Sequence, residues 1–338
     1  MASDNQPDTS VLLEIYRRAA LIKKNDEKII AAARSGKMNL IYYSPRGQEI
    51  IPSALSVHLS DDDYVCTIYR GIHDQLAKGV PSKSIWAEYA GRVTGSCKGK
   101  GGPMHITYPA KGVMVTTGVV GSSMPIANGL ALAAQIQGVQ RIAVANFGDG
   151  ASNIGAFLES LNLASVWQLP VIFVCQNNLY AEHSSFRKFT AGGSVAQRAE
   201  GLGMPGVTVD GNDAVAMWRV AREAVARARA GEGPTLIEAM TFRFQGHLLG
   251  DDASYIPAEQ LRAAVEKDPV LALRSHLIAH HQVRELTLTG IEAAIEREVE
   301  EAQAFALSSK WPTPDELLTD VWAAPGPVKT HLSTSAPT

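Results

Sequence analysis

Residues 141–157 read RIAVANFGDGASNIGAF. An apolar run, 141–147, ends at Gly148-Asp149-Gly150, and small and apolar residues at helical spacing follow over 151–168. Pro170 stops that helix, and VIFVCQ (171–176) is a second strand leading into Asn177-Asn178. Strand, helix and strand at this spacing make a βαβ unit, so the two strands should run parallel. Asp149 and the Asn177-Asn178 pair then follow the carboxyl ends of neighbouring strands, on the rim where open α/β sheets bind ligands. A glycine turn at such a place favours phosphate. The carboxylate inside it does not suit an anion. A carboxylate and an amide oxygen facing one another do suit a hard cation, Mg²⁺ or Ca²⁺, with a diphosphate completing the coordination.

The pattern recurs outward. GVTVDG (206–211), a helix over 213–230 and PTLIEAM (234–240) form another unit, so the fold class is α/β, a parallel sheet covered by helices. Upstream, residues 11–35 carry apolar residues at helical spacing and form one long helix ended near Gly36. Residues 37–62 are mixed, DYVCTIY (63–69) is a short buried strand, and 125–137 is a helix of small residues. The glycines between 91 and 125 predict functional loops. After Asp251 the chain turns helical, and Thr289 with Glu292 matches a capping box.

The bulk properties exclude several classes. The 338 residues carry a net charge of −3, with basic residues scattered, which argues against a nucleic-acid or membrane-surface partner. Three separated cysteines, Cys66, Cys97 and Cys175, form no zinc spacing and suit a reducing compartment. The polar start MASDNQPDTS is unlike a signal or transit peptide, and no apolar run reaches membrane-spanning length. The expectation is a soluble, cytoplasmic protein. No GxGxxG follows a strand and no GxxxxGK occurs, so an ordinary nucleotide-binding protein is disfavoured.

GDG followed by helix, strand and NN is the thiamine diphosphate motif. The chain resembles the alpha subunit of the first, decarboxylating component of 2-oxo acid dehydrogenase complexes, from about residue 11 to 310. The resemblance also runs through IYRRAALIKKNDEKI (15–29), RGQEI (46–50), TIYRGIHDQLAKG (67–79), GRVTGSCKGKGGPMHI (91–106), GVVGSSMPIANGLALA (118–133), GVTVDGND (206–213) and TFRFQGHLLGD (241–251). It implies a thiamine diphosphate-binding fold with a long N-terminal helix. The expected layout is a flexible N-terminus over 1–10, one α/β domain over 11–324 with a helical part from about 256, and a loose tail over 325–338.

By the same resemblance, Asp149 and Asn178 ligate Mg²⁺ by side chain and Tyr180 by its carbonyl, with Gly150 and Ala151 giving backbone contacts. Tyr69 and Arg70 meet the diphosphate, where a planar guanidinium pairs well with phosphate oxygens. The Gly118 carbonyl accepts from the 4′-amino group, and Val120 is the wedge that bends the cofactor. His247, in a glycine-containing loop, is the catalytic candidate, touching cofactor or substrate with an imidazole that titrates near neutrality. His105, His73 and His183 are weaker candidates, and His280-His281 are surface residues. Leu248 and Gly250 stand where regulated animal relatives carry phosphorylated serines, which puts that regulation in doubt. Gln176 replaces a residue that is often charged, so a charge contact there is also in doubt. The loop QGHLLGDD looks more like acetoin and bacterial pyruvate relatives than branched-chain ones.

Thiamine catalysis needs a carboxylic acid beside the pyrimidine, and in this family it sits on a separate beta subunit. The implied assembly is a heterotetramer of two alpha and two beta chains, passing the acyl group to a lipoyl acyltransferase, with a small 2-oxo acid or acetoin as substrate. A self-sufficient transketolase-like enzyme and a non-catalytic scaffold subunit are the rival readings.

Overall fold

A computed structural model describes residues 6–321. In chain order it contains α1 (Thr9–Arg34), α2 (Ile50–Ser56), β1 (Tyr64–Ile68), α3 (Ile72–Ala77), α4 (Ser82–Tyr89) and β2 (Val113–Thr117). There follow α5 (Ser123–Ile136), β3 (Ala143–Gly148), α6 (Gly155–Val166), β4 (Val171–Asn177), and a hairpin of β5 (Tyr180–Ala181) and β6 (Ser184–Ser185). Then come α7 (Phe186–Phe189), α8 (Ala196–Glu200), β7 (Gly206–Asp210), α9 (Ala214–Arg229), β8 (Thr235–Met240), α10 (Ala258–Glu266), α11 (Pro269–His281) and α12 (Glu285–Ser308). The tail expected over 325–338 and the first five residues lie outside the described residues.

Six strands form one sheet in the order β2-β1-β3-β4-β8-β7, with every pairing parallel. The central strands are nearly all apolar because helices cover both faces. Period-two alternation divides them. Ala143, Ala145, Phe147, Val171, Phe173 and Cys175 pack with Met124, Phe157 and Leu161 of α5 and α6. Val144, Ile172 and Val174 pack on the other face with Leu12, Ile50, Met217 and Trp218 from α1, α2 and α9. A third apolar cluster joins the second half of α1 to α3, α4 and α12 through Ile29, Ile72, Trp86 and Val299. Among the described residues no helix is long and apolar enough to cross a membrane.

The expected strands and the long first helix are present, and Gly36 adopts φ +74 just past α1. Four local readings change. The mixed segment 37–62 contains α2, and the glycine-rich segment contains the edge strand β2. The helix after GDG does not start at once: Asp149–Asn153 is a 3-10 turn, Ile154 is extended (φ −101, ψ 158), and α6 begins at Gly155. Ile154 is drawn into the apolar cluster beside α5, close enough to Gly121 that a Cβ there would lie 2.0 Å from its Cδ1. The capping box at Thr289 and Glu292 does not form. Helix α12 already starts at Glu285, the Thr289 hydroxyl donates to Glu285 O, and Glu292 takes the Tyr16 hydroxyl and Arg274 instead. Tertiary partners for Glu292 outweigh a local cap. Asp213 and Asp268 do cap helices, each accepting from two backbone N–H groups at the starts of α9 and α11.

One buried acid makes a stability prediction. Asp26 in α1 is 1% exposed; Tyr42 donates to its Oδ1 (2.7 Å), and its Oδ2 has no partner. Burial pushes its pKa up to about 7, against weaker opposition from the Tyr42 and Ser44 hydroxyls. The folded carboxyl therefore holds a proton that the unfolded chain has already released, and its contribution to stability falls as pH rises from about 4 to about 7. Asp26→Asn is expected to exceed the wild type by about 1–3 kcal/mol at pH 8, with the gap shrinking toward pH 5. Urea unfolding at the two pH values checks this; an equal gap at both would refute it.

Candidate active site

Register places the site. Gly148 of β3 is level with Gln176 of β4, so both strands end on one rim and the following residues turn outward together. Above that rim lies a cavity of about 540 Å³. Its wall contains Tyr69, Arg70, Gly118, Val120, Asp149, Gly150, Ala151, Asn178, Tyr180 and His247, the cofactor and metal candidates that the resemblance implied. It also contains Tyr43, Met104, Glu182 and Arg243, which the sequence reading missed.

Asp149 is 2% exposed, and its Oδ2 has no hydrogen-bond partner. Burial pushes its pKa up to about 6, opposed by backbone N–H groups and by Arg243 and Arg70. A buried carboxylate oxygen without a hydrogen-bond partner is costly unless something positive meets it. Asn178 follows β4, and its Nδ2 donates to buried Gln48 (2.9 Å) while Oδ1 accepts from Tyr180 N (3.2 Å). Gln48 thereby fixes which end of the amide turns toward the Tyr180 side. Asn177 points elsewhere: its Nδ2 donates to Glu238 (2.8 Å) and its Oδ1 holds Leu179 N (3.1 Å). The pair thus splits into a cavity residue and a structural one, and Leu179 bends the chain between them and the hairpin at φ +71. Gly150 has no room for a side chain, since a Cβ would sit 2.8 Å from that of Ala181. Among the described residues no three His, Cys, Asp or Glu side chains gather as a metal cluster. A cation at Asp149 and Asn178 therefore needs oxygens from a bound ligand, as a diphosphate would supply.

Two arginines give the cavity its charge. Arg70 is 4% exposed; its donors reach Ser44 O (2.8 Å) and His247 O (2.9 Å), and its guanidinium lies 5.8 Å from the Tyr43 ring centre. Burial and Arg243 push its pKa down to about 10, so it stays charged at neutral pH. Arg243 is 1% exposed and donates to Glu182 O (2.5 Å), Tyr255 Oη (2.6 Å) and His247 Nδ1 (3.4 Å). The recorded partners of both are carbonyls, a hydroxyl and an imidazole, none of them a carboxylate. Two buried cations on one cavity wall, feeling the Asp149 charge but hydrogen-bonded to no carboxylate, suit an anion there.

His247 lies in the loop after β8. Phe244 N donates to Arg46 O, Leu249 N donates to Tyr42 O, and Asp251 accepts from His247 N (2.5 Å), which together hold the loop down. The imidazole stacks edge-on against Tyr43 and Tyr69 with centroids 5.3 and 5.9 Å away. An arginine can only donate, so Nδ1 accepts and the ring proton sits on Nε2. Burial, then Arg70 and Arg243, push the His247 pKa down to about 4. This corrects the expectation of titration near neutrality: the ring is neutral at physiological pH because it is partly buried and its neighbours are cations.

The other candidates separate. The His105 ring lies beside Gly118, whose added Cβ would be 3.5 Å from Cε1. His73 is fully buried, bonded to Arg70 O and Gln176, and Gln176 also donates to Asp74 (3.0 Å). Gln176 is thus an interior polar link and makes no charge contact with the cavity. His183 stacks on Tyr255 at 4.7 Å, outside the main cavity. At the cavity wall Val120 is 50% exposed, and neighbouring Val119 is 67% exposed, so this edge is apolar and uncovered.

Comparison with known proteins gives the family. Residues 16–315 match the dehydrogenase E1 component family. The chain is 40% identical over 94% of its length to the alpha subunit of acetoin:2,6-dichlorophenolindophenol oxidoreductase from Cupriavidus necator, covering 96% of that protein. It is 38% identical to the Bacillus subtilis protein of the same name, over 92% of this chain and 93% of the relative. It is 36% identical to the chloroplastic pyruvate dehydrogenase E1 component subunit alpha-3 of Arabidopsis thaliana, over 93% of this chain and 74% of the relative. With a matched family segment spanning most of the chain and the two bacterial relatives aligned nearly end to end, the chain belongs to the dehydrogenase E1 component family.

Proposed function

We propose that the cavity binds thiamine diphosphate with Mg²⁺, and that the chain is the alpha subunit of a pyruvate-type 2-oxo acid dehydrogenase or acetoin dehydrogenase. The observation that carries this is the pairing of opposites on one wall. Asp149, whose buried carboxylate Oδ2 lacks a hydrogen-bond partner, lines the same cavity as two buried arginines that hydrogen-bond to no carboxylate. A diphosphate bridged to a divalent cation satisfies both at once. The set fits the group chemically: hard oxygen donors for the cation and forked donors for phosphate.

In this reading Asp149, Asn178 and the Tyr180 carbonyl hold Mg²⁺. Arg70, Arg243 and Tyr69 hold the diphosphate, with Gly150 and Ala151 offering backbone contacts. Gly118 and Val120 support the rings. When bound, thiamine diphosphate supplies the electron sink for breaking a bond next to the substrate carbonyl. Neutral His247, with its proton on Nε2, is a hydrogen-bond donor at the cavity wall and orients phosphate or substrate oxygen.

The wall's carboxylates are Asp149 and Glu182. Asp149 is committed to the cation, and the family's pyrimidine-protonating acid is a beta-subunit residue. The uncovered Val119 and Val120 edge is where such a partner closes the cavity. The functional unit is then an alpha–beta heterotetramer that hands its acyl group to a lipoyl acyltransferase in the cytoplasm. Relatives named for pyruvate and for acetoin leave both substrates to be tried.

Calorimetric titration of thiamine diphosphate, with and without Mg²⁺, tests this on the chain alone and co-purified with its beta partner. Mg²⁺-dependent binding that tightens with the partner is expected, with turnover only in the complex. Turnover by the chain alone would establish the self-sufficient enzyme. Absence of binding in both samples would establish the scaffold.

A further inference from the structure

The glycine-rich segment 91–105 looks like a phosphate-binding loop, yet its N–H groups are already used. Glu88, in the last turn of α4, is fully buried. Its Oε2 accepts from Cys97 N (2.7 Å) and Gly99 N (3.0 Å), and its Oε1 from Gly101 N (2.8 Å) and Gly102 N (3.0 Å). Backbone donors converging on one centre form the kind of concavity that elsewhere takes a bound anion. Here the anion is part of the chain. Only a carboxylate has two equivalent oxygens that can each accept two such bonds. The glycines make the wrapping possible. A Cβ on Gly95 would meet Glu88 Oε2 at 2.4 Å, one on Gly99 would meet Gly91 C at 2.6 Å, and one on Gly101 would meet His105 O at 2.4 Å. Gly99 and Gly102 also take φ +77 and +57.

The wrapped loop delivers its far end to the cavity. Met104 lines the wall, and both Met104 Cε and His105 Nε2 lie 3.8 Å from where a Cβ on Gly118 would stand. We propose that Glu88 is a positioning residue: a built-in anion that folds loop 95–102 so that Met104 and His105 back the Gly118 segment of the cofactor cavity. The cofactor part of this statement rests on the reading above; the loop part does not. The corollary is that this glycine-rich loop binds no phosphate of its own.

The test uses Glu88→Gln in the full chain with its beta partner. The amide keeps one oxygen and turns an NH₂ toward two of the four donors. Hydrogen exchange at Cys97, Gly99, Gly101 and Gly102 is expected to speed up at least tenfold with β3 and β4 unchanged. The KM for thiamine diphosphate should rise about tenfold with kcat within about twofold, and the His105 ring resonances should shift. His105→Ala should reproduce the KM effect without the exchange effect, and the double variant should add little beyond either alone. Unchanged exchange in Glu88→Gln overturns the proposal, and so does faster exchange with an unmoved KM and unmoved His105 signals. If Glu88→Gln does not fold, Glu88→Asp, which keeps the charge but withdraws it by one methylene, is read in the same way. If the wild type takes no thiamine diphosphate, the cofactor reading falls, and the exchange rates with the His105 resonances decide the role of Glu88.

Discussion

Asp149→Ala is expected to abolish Mg²⁺-dependent binding of thiamine diphosphate, lowering affinity at least 100-fold, and to remove turnover in the complex. The buried carboxylate supplies the one formal negative charge among the proposed cation donors, and neither Asn178 nor a backbone carbonyl replaces it. Stability of the ligand-free chain should move the other way. Asp149 is buried with Oδ2 unpartnered, so removing it relieves a desolvation cost. A gain of about 1 kcal/mol in ligand-free stability is expected. Calorimetry gives the affinity and urea unfolding the stability. Full affinity retained in the variant would sink the cation site. Lost affinity together with lost stability would mean that Asp149 is a structural residue.

Arg243→Met should have the next largest effect. Loss of a buried, charge-assisted phosphate contact costs about 2–3 kcal/mol, a 30- to 150-fold weaker affinity for thiamine diphosphate. The variant has a second signature that does not involve the cofactor. Arg243 is one of the two cations that hold the His247 pKa low, after burial. Taking it away raises that pKa from about 4 toward the ordinary value, so His247 gains its proton at a higher pH. Proton NMR titration of the ligand-free chain reads this directly. An unmoved His247 would show that the Arg243 charge does not reach the imidazole.

Much of the site was legible because the chemistry clusters at strand ends, and strand ends are readable. RIAVANF and VIFVCQ are apolar runs bounded by glycine, proline and asparagine, so the residues just after them had to share a rim. Asp149, Asn178, Tyr69 and Arg70 follow from that logic or from the family motifs. Arg243 did not, because FRFQGH shows a basic residue among aromatics with nothing to say that it is buried. Only the fold brings it against Tyr255 and Glu182. Tyr43 escaped for a similar reason: the mixed segment that carries it has no periodicity, and its place against Tyr69 and His247 is a tertiary contact. Gln48 looked like part of a motif, and its work on Asn178 spans 130 positions in sequence.

The parallel α/β class, the order of the main strands along the chain, the rim that carries the candidate site and the family could all be read from the sequence. These depend on short-range patterns: period two in strands, helical spacing between them, and glycine or proline at the joints. The tertiary structure decided what depends on long-range neighbours. It split Asn177 from Asn178, moved the start of α6 to Gly155, and gave Glu292 to Tyr16 and Arg274 rather than to a cap. It also made His247 neutral. The His247 pKa is set first by burial and then by the charges packed around it: Arg243 stands four residues before it in the chain, while Arg70 is brought in from 177 positions away.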